Sequence, residues 1–549
     1  MNDEQNFCKK EDKVEEGDET VTLLGGKRRR ECSWTCGAAE FIDDLAGAIG
    51  YKLLTLLFFV EHVNRGFVAD FTGQAESYVY KTYAVPGPRM QIFGGISQLP
   101  WALKPVIGLV SDTMPLGGYH KMPYMVAAVI FGTAAFVIVG VVPQAALPVP
   151  ALVTCFFMQQ WQLSVCDILT EARYAQKIQE VPAYGTHILS FVWFGMNAGS
   201  MLGILLAGFL LASQSPKLPY LLIALPAGLV LIPLMYGCLE EKMVRPEETA
   251  DRRKKFHEQK EACFLSLLIT LVCLGLIACG LLSKSTSVNA LAATVAFFTV
   301  GFFFSVFLSP AIAKFNMWSL LQTSLSLSTS GAAFYFMTDT EEQYPEGPHF
   351  TPVFYNSVIG TVGSVMSLVG IVTFQRYFSG YRYRNLLLVT NIVFCILNAL
   401  DTVLFKRLNK SWGIPDHAFV LGTGCLQNVL SQWQWLPQVI ILSYFCPKGM
   451  EATMYALLAG CHNLGNTIAS SWGAYLLEGF GVSPNGSVAE SSQFENLWKA
   501  SLVASLLPMV TVVALFHFIP DVKQGDPVVD PDAAATKGSL WKHFWNIQD

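Results

Sequence analysis

Apolar residues run through this chain in blocks of about 20, the length a helix needs to cross a hydrocarbon core. The blocks fall near 53–80, 90–112, 122–142, 149–175, 184–212, 218–238, 263–282, 290–311, 314–338, 352–374, 384–405, 415–443, 451–478 and 497–519. They predict an all-α integral membrane protein with about 14 spans. Polar punctuation separates them. Residues 1–45 mix acids with bases and lack an apolar core, which predicts a disordered cytosolic tail. Residues 239–262 form a charged loop containing Arg252, Arg253, Lys254 and Lys255, and 521–549 form a second cytosolic tail.

A weak repeat divides the blocks. Gln160-Trp161-Gln162 in the fourth block is echoed by Gln432-Trp433-Gln434, and Asn197-Ala-Gly199 in the fifth by Asn463-Leu-Gly465. Each pair holds the same place in a set of six. The expected organisation is therefore a six-helix bundle (46–238), two inserted helices (263–311) and a second six-helix bundle (312–520), with pseudo-symmetric halves. Transporters built from such repeats bind substrate between them near the midplane.

Composition agrees. Of 549 residues, 52% are apolar and 14% charged, against about 25% charged in soluble domains. The net charge of −5 says little, but its distribution sets the orientation. With the N-terminus inside, about 26 Lys and Arg fall on the cytosolic side and about 8 outside. The N-terminal segment is neither a signal peptide nor an acid-poor transit peptide, so the expected location is the cell membrane. Two sequons, Asn409-Lys-Ser411 and Asn485-Gly-Ser487, land outside as candidate glycosylation sites. The 13 cysteines lie mostly inside apolar blocks without regular spacing and read as packing residues.

The candidate chemistry is intramembrane charge, since an ionisable group at that depth is costly and marks a pathway by default. The first block carries Glu61, His62, Arg65 and Asp70, and Glu61 and Arg65, four apart, share a helix face. The second carries Lys104 between Pro100 and Pro105. Those prolines are tolerable only where neighbours satisfy the freed carbonyls. Glu61 and Lys104 both lie about 12 Å from the cytosolic end, so a Glu61–Lys104–Arg65 cluster is expected. Asp167 lies in the inner half of the fourth block, while Glu171 and Arg173 read as headgroup-level residues. Glu61, Asp70 and Asp167 are the proton-coupling candidates, because a carboxylate in a low dielectric gains proton affinity. Asp112 and Lys121 sit at the cytosolic rim as a candidate gate.

The two Gln-Trp-Gln segments combine amide donors and acceptors with flat indole faces, as a planar, amide-like heterocycle would require. The competing role is interhelical glue. Gly195, Gly199 and Gly203 form a double Gly-x-x-x-Gly and predict close helix packing.

Three motifs carry a resemblance. The first is Pro100-Trp-Ala-Leu-Lys104-Pro with Gly108-Leu-Val-Ser-Asp112. The second is Asp167-Ile-Leu-Thr-Glu171-Ala-Arg173-Tyr. The third is Cys446-Pro-Lys-Gly-Met-Glu451-Ala-Thr-Met-Tyr. Together they resemble the folate–biopterin transporter family of the major facilitator superfamily, and look closest to its kinetoplastid members. The second half lacks a Pro-Trp…Lys-Pro counterpart in 352–374. The resemblance implies a secondary transporter importing folates or pterins, proton-coupled, and working as a monomer on a small-molecule substrate within the lipid bilayer. It adds Glu451 to the transport-critical, gating set. Kinetoplastid members also include S-adenosylmethionine carriers, so another small metabolite stays open as cargo, as does a non-transporting pterin sensor. No Gly-rich phosphate loop, metal-spaced His/Cys cluster or nucleophile–base arrangement occurs, so no enzyme, metal site, cofactor or nucleic-acid partner is expected.

Overall fold

A computed structural model describes residues 34–213, 215–243, 260–378, 380–446, 451–524, 526, 528–529 and 534–545. The chain through residue 33, the basic run 252–255 and the Glu451 side chain lie outside them. The described residues are helical, with two isolated β-bridges and no strand. In chain order the helices are α1 (Trp34–Ile49), α2 (Tyr51–Thr82), α3 (87–113), α4 (Met122–Val141), α5 (Val149–Glu180), α6 (Gly185–Ser213) and α7 (Leu218–Met235). Then follow α8 (Lys260–Leu282), α9 (Thr286–Phe307), α10 (310–338), α11 (Val353–Phe378), α12 (Tyr383–Phe405), α13 (Asp416–Tyr444), α14 (Glu451–Gly479), α15 (Ser491–Phe518) and α16 (Leu540–Phe544).

Eight described helices are long and apolar enough to cross a membrane, or nine with the bent pair 39–49 and 51–82 counted as one span. They show large apolar side chains outward, such as Phe194 on α6, Leu271 on α8, Phe298 on α9 and Val372 on α11. Water would not tolerate so much exposed apolar surface; lipid does. Apart from the short α16 and the bent pair α1–α2, the helices that fail the test are α3, α5, α10, α13 and α14. They carry the polar residues Lys104, Asp167, Gln322, Gln434 and His462.

Helix α6 lies on α2 as the glycines predict. A Cβ at Gly195 would stand 2.1 Å from the His62 ring, and one at Gly199 would stand 2.3 Å from the His62 carbonyl. From 58 to 68, α2 is a π-helix, and that widened turn carries Glu61, His62 and Arg65. Helices α3 and α14 pack along each other, as do α6 and α11, and these contacts join the first bundle to the second. Helices α8 and α9 pair and lie against α14.

One expectation about the termini is corrected. Residues 34–45 belong to α1, not to a disordered tail. Leu45, Ala46 and Ile49 give α1 a buried apolar face, Tyr184 donates to Asp44 at 3.3 Å, and Gly50, at φ 88°, turns the chain into α2. Described residues of the C-terminal segment pack against the helices. Ala535 is buried and its carbonyl accepts from Ser309 N at 2.8 Å, while Trp541 stacks near Phe307 at 5.0 Å.

Candidate functional site

The break in α3 organises the site. Pro100 and Pro105 cannot donate backbone hydrogen bonds, so the helix stops at Ser97, passes through a 3-10 turn over Leu99–Trp101, and restarts at Lys104. Neighbours satisfy the freed carbonyls. Ser164 Oγ donates to Pro100 O at 2.8 Å, and Asn463 Nδ2 donates to Trp101 O at 3.3 Å. The restart aims Lys104 at α5.

There Lys104 Nζ pairs with Asp167 Oδ2 and lies 3.9 Å from Glu171 Oε2. Arg65 Nε reaches Asp167 Oδ1 at 3.6 Å. Both cations sit over the Trp101 ring, at 4.2 Å for Arg65 and 4.9 Å for Lys104. The indole Nε1–H donates to Gln160 Oε1 at 3.0 Å. Glu61 is 2% exposed, its Oε1 has no hydrogen-bond partner, and its carboxyl lies within hydrogen-bonding reach of Asp167. The expected Glu61–Lys104–Arg65 cluster is thus centred differently: Asp167 holds both cations, and Glu61 faces the carboxylate. The reason is the π-turn together with the α3 break, which bring both cations onto α5.

The charge count decides what this cluster can do. Two cations face three carboxyls, Glu61, Asp167 and Glu171. With all three ionised the cluster carries one excess negative charge in a low dielectric, which a proton on one carboxyl removes. Of these three, Glu61 is the carboxyl without a cation within 4.0 Å among the described residues. The other proton-coupling candidate, Asp70, faces Ser200 and Arg65 rather than Asp167.

A second polar feature lies inside the second bundle, a cavity of about 460 Å³ between α10, α12, α13, α14 and α15. Gln322, Asn391, Gln427, Gln434, Gln438 and His462 line it. Gln322 and Gln434 donate to Asn391 Oδ1 at 2.8 and 3.1 Å, and Trp435 lies 5.1 Å from His462, ring to ring. Asp401 enters the same wall from α12. His462 and Asn463 are consecutive on α14: one faces the cavity, the other holds the Trp101 carbonyl.

The Gln-Trp-Gln segments divide between site and glue. Gln160 joins the Trp101 cluster and Gln434 lines the cavity. Gln162 is fully buried and donates to Ala227 O at 2.9 Å and Asn64 Oδ1 at 3.4 Å. Trp161 packs on Phe157. Trp433 Nε1 donates to Gly370 O at 3.0 Å, and Gln432 packs against Gly370. The second-bundle cavity takes Gln434 from the second segment and no residue of the first. In the rim pair, Gly117 and Gly118, both at positive φ, form the tight turn between Asp112 and Lys121. The backbone N–H groups of His120, Lys121 and Met122 all donate to Glu241. Asn485 lies half-buried in the loop after α14. Asn409 is fully buried, with its amide donating to Asp416 Oδ1 at 2.7 Å and Ile414 O at 3.1 Å. It is corrected from glycosylation candidate to loop strut.

Sequence reading gave no role to Trp101, although it stands inside the quoted motif, and it passed over Asp401, an acid in an otherwise apolar block. It also missed the contacts that close one end of the molecule. Lys81 Nζ pairs with Asp339 Oδ1 at 2.7 Å and Gly87 N donates to Pro484 O at 2.8 Å. Tyr335 donates to Val85 O at 2.7 Å, and Gln91 to Ser328 O at 2.8 Å. Each joins the first bundle to the second.

Comparison with known proteins places these features in a context. The family model described as the BT1 family matches residues 65–537. The chain is 24% identical over 503 residues to "Probable folate-biopterin transporter 6" of Arabidopsis thaliana, covering 91% of this chain and 89% of that one. It is 23% identical over 441 residues to the "Folate-biopterin transporter" of Synechocystis sp., covering 79% and 74%. Among solved structures, a peptide transporter POT in complex with sulfate superposes with a TM-score of 0.58 at 14% identity, covering 87% of this chain and 99% of that one. A nucleoside transporter NupG variant gives 0.53 at 12% identity, covering 84% and 99%. At such identities the likeness is one of fold.

Proposed function

The chain belongs to the BT1 family, a family of membrane transporters and not of enzymes, and from that premise we propose that it carries folate- or biopterin-type pteridines by proton-coupled alternating access. The observation that carries the reading is the Trp101 cluster. Two cations and three carboxyls meet at a broken helix on the seam between bundles, one proton short of neutrality. Protonation there changes the cluster's charge, and Asn463 transmits the change to α14. The curated relatives are named for folate and biopterin, and an amide-lined cavity suits a pteridine.

In this reading the helices α2–α7 and α10–α15 are two six-span bundles with α8 and α9 inserted, 14 spans in all. Both termini face the cytosol of a cell-surface protein that imports its substrate as a monomer, and Asn485 carries the glycan. The end closed by Lys81–Asp339 is then extracellular, so the described conformation is shut to the outside. Asp112, Lys121 and Glu451 form the cytosolic rim. The test is competitive uptake of labelled folate, biopterin and S-adenosylmethionine in a transport-deficient host at acid and neutral outside pH. Pteridine accumulation that rises in acid supports the reading; accumulation of S-adenosylmethionine alone overturns the cargo while keeping the fold.

A further inference from the structure

Asp401 is a half-buried carboxylate that the cluster does not use. It lies on α12 and lines the second-bundle cavity. Gln427 Nε2 stands 3.4 Å from both of its oxygens. Those contacts are long, so both oxygens keep lone pairs free to accept. Among the described residues no Lys, Arg or His nitrogen lies within 4.0 Å of it. A carboxylate partly withdrawn from water without a cation is stabilised by strong donors or a proton. The amides nearby are committed elsewhere: Gln434 and Gln322 both donate to Asn391. The donors that would satisfy Asp401 are therefore expected from a ligand.

We propose that Asp401 receives the edge of a planar heterocycle that presents two adjacent N–H donors, a ring N–H beside an exocyclic amine. This deepens the transport reading above and rests on it. A carboxylate accepts two parallel N–H bonds in a fork geometry. The 2-amino-4-oxo edge of a pterin offers that pair, N3–H and the 2-amino group. Gln427 and Gln438 offer donors and acceptors for the rest of the ring, and the Trp435–His462 pair offers it an aromatic face. A cavity of about 460 Å³ is of ligand size. A 2-oxo pteridine places a carbonyl where the amine would be, and that oxygen would face the carboxylate as acceptor to acceptor.

The test is equilibrium binding of labelled biopterin to purified full-length protein, with the 2-oxo and 2-desamino analogues as competitors. The wild type should prefer the 2-amino ring by about tenfold or more, the size of a hydrogen bond to a charged group. Asp401→Asn offers one acceptor and one donor, which matches the 2-oxo edge, so the preference should reverse. A merely structural role for Asp401 would lower all ligands together. Retention of the 2-amino preference in folded Asp401→Asn overturns the subsite and leaves the transport reading standing, provided the wild type accumulates biopterin. If Asp401→Asn does not fold, the wild-type analogue series decides, because equal affinity for all three rings overturns the subsite. A wild type that neither binds nor accumulates any pteridine overturns both.

Discussion

Asn463 on α14 donates its side-chain amide to the backbone carbonyl of Trp101 at 3.3 Å, joining the second bundle to the break in α3. The carbonyl is available because the prolines of α3 remove backbone donors, and the Trp101 ring carries Arg65 and Lys104 on its face. One residue earlier, His462 faces the cavity. The bond is therefore the shortest path by which charge in the cluster reaches the cavity wall. Asn463→Leu should leave equilibrium substrate binding within about threefold, while the transport rate falls about tenfold or more, the scale of one to two lost hydrogen bonds. Binding and initial uptake measured side by side check this; equal losses in both would place Asn463 in the binding site instead.

Asp167 stands between two cations, and removing one member of a buried charge group leaves the others uncompensated. Asp167→Asn should abolish uptake and lower the unfolding midpoint in detergent, with a cost of about 3–5 kcal/mol. Lys104→Ala should also abolish uptake. The double variant Lys104→Ala/Asp167→Ala should recover much of the midpoint, with no return of transport. Thermal unfolding and uptake on the same preparations separate the structural share from the functional one.

The closed end makes a prediction about pH. Burial, and then a hydrogen bond with Glu490, push the Asp339 carboxyl up to about 7, against the pull of Lys81. His349 bonds the Asp339 backbone carbonyl at 2.7 Å and Pro345 O at 3.4 Å, not the Asp339 carboxyl. A solvated aspartate titrates near 3.9, so the closed end binds the proton more tightly than an opened one would. Acid therefore favours closure, and that preference is lost as pH rises through about 7. Protonation from outside would shut the outer end behind a loaded carrier, the order that proton symport needs. Spin-label distances between Ala145 and Ser487, both exposed on that end, should lengthen from pH 5.5 to 8.5, values chosen about 1.5 units either side of the transition. Shortening over that range would contradict the assignment.

The seam between α2 and α6 can be probed without touching any charge. Gly199→Ala places a Cβ 2.3 Å from the His62 carbonyl, a backbone atom that cannot swing away. It should cost about 1–3 kcal/mol, as overpacking does. Gly108→Ala meets nothing within 4 Å and should express at wild-type level. Size-exclusion profiles of the two variants give the comparison.

Much of this was legible in the sequence. The apolar blocks gave the helices, the double Gly-x-x-x-Gly gave close packing on α6 though not its partner α2, and Lys104 between prolines announced a protein-facing break. Pairing was not legible. Periodicity puts Glu61 and Arg65 on one face, but the π-turn and the α3 break direct Arg65 and Lys104 to Asp167, and no one-dimensional pattern encodes that. Gln162 and Trp433 have the composition of a binding wall, yet they face neighbouring backbone, because residue type does not say which side of a helix meets a cavity. Asp401 was readable as a lone acid among apolar residues, but its meaning depends on the amides that α10, α13 and α14 bring beside it.

The central claim is that the Trp101 cluster couples a proton to pteridine movement through Glu61. The most direct measurement is biopterin uptake into proteoliposomes under an imposed inside-alkaline pH gradient, comparing wild type with Glu61→Gln, which removes the exchangeable proton and preserves shape. Wild type should concentrate biopterin only while the gradient lasts. Glu61→Gln should exchange labelled for unlabelled biopterin and fail to concentrate it. Gradient-driven accumulation by Glu61→Gln at the wild-type level would contradict the account.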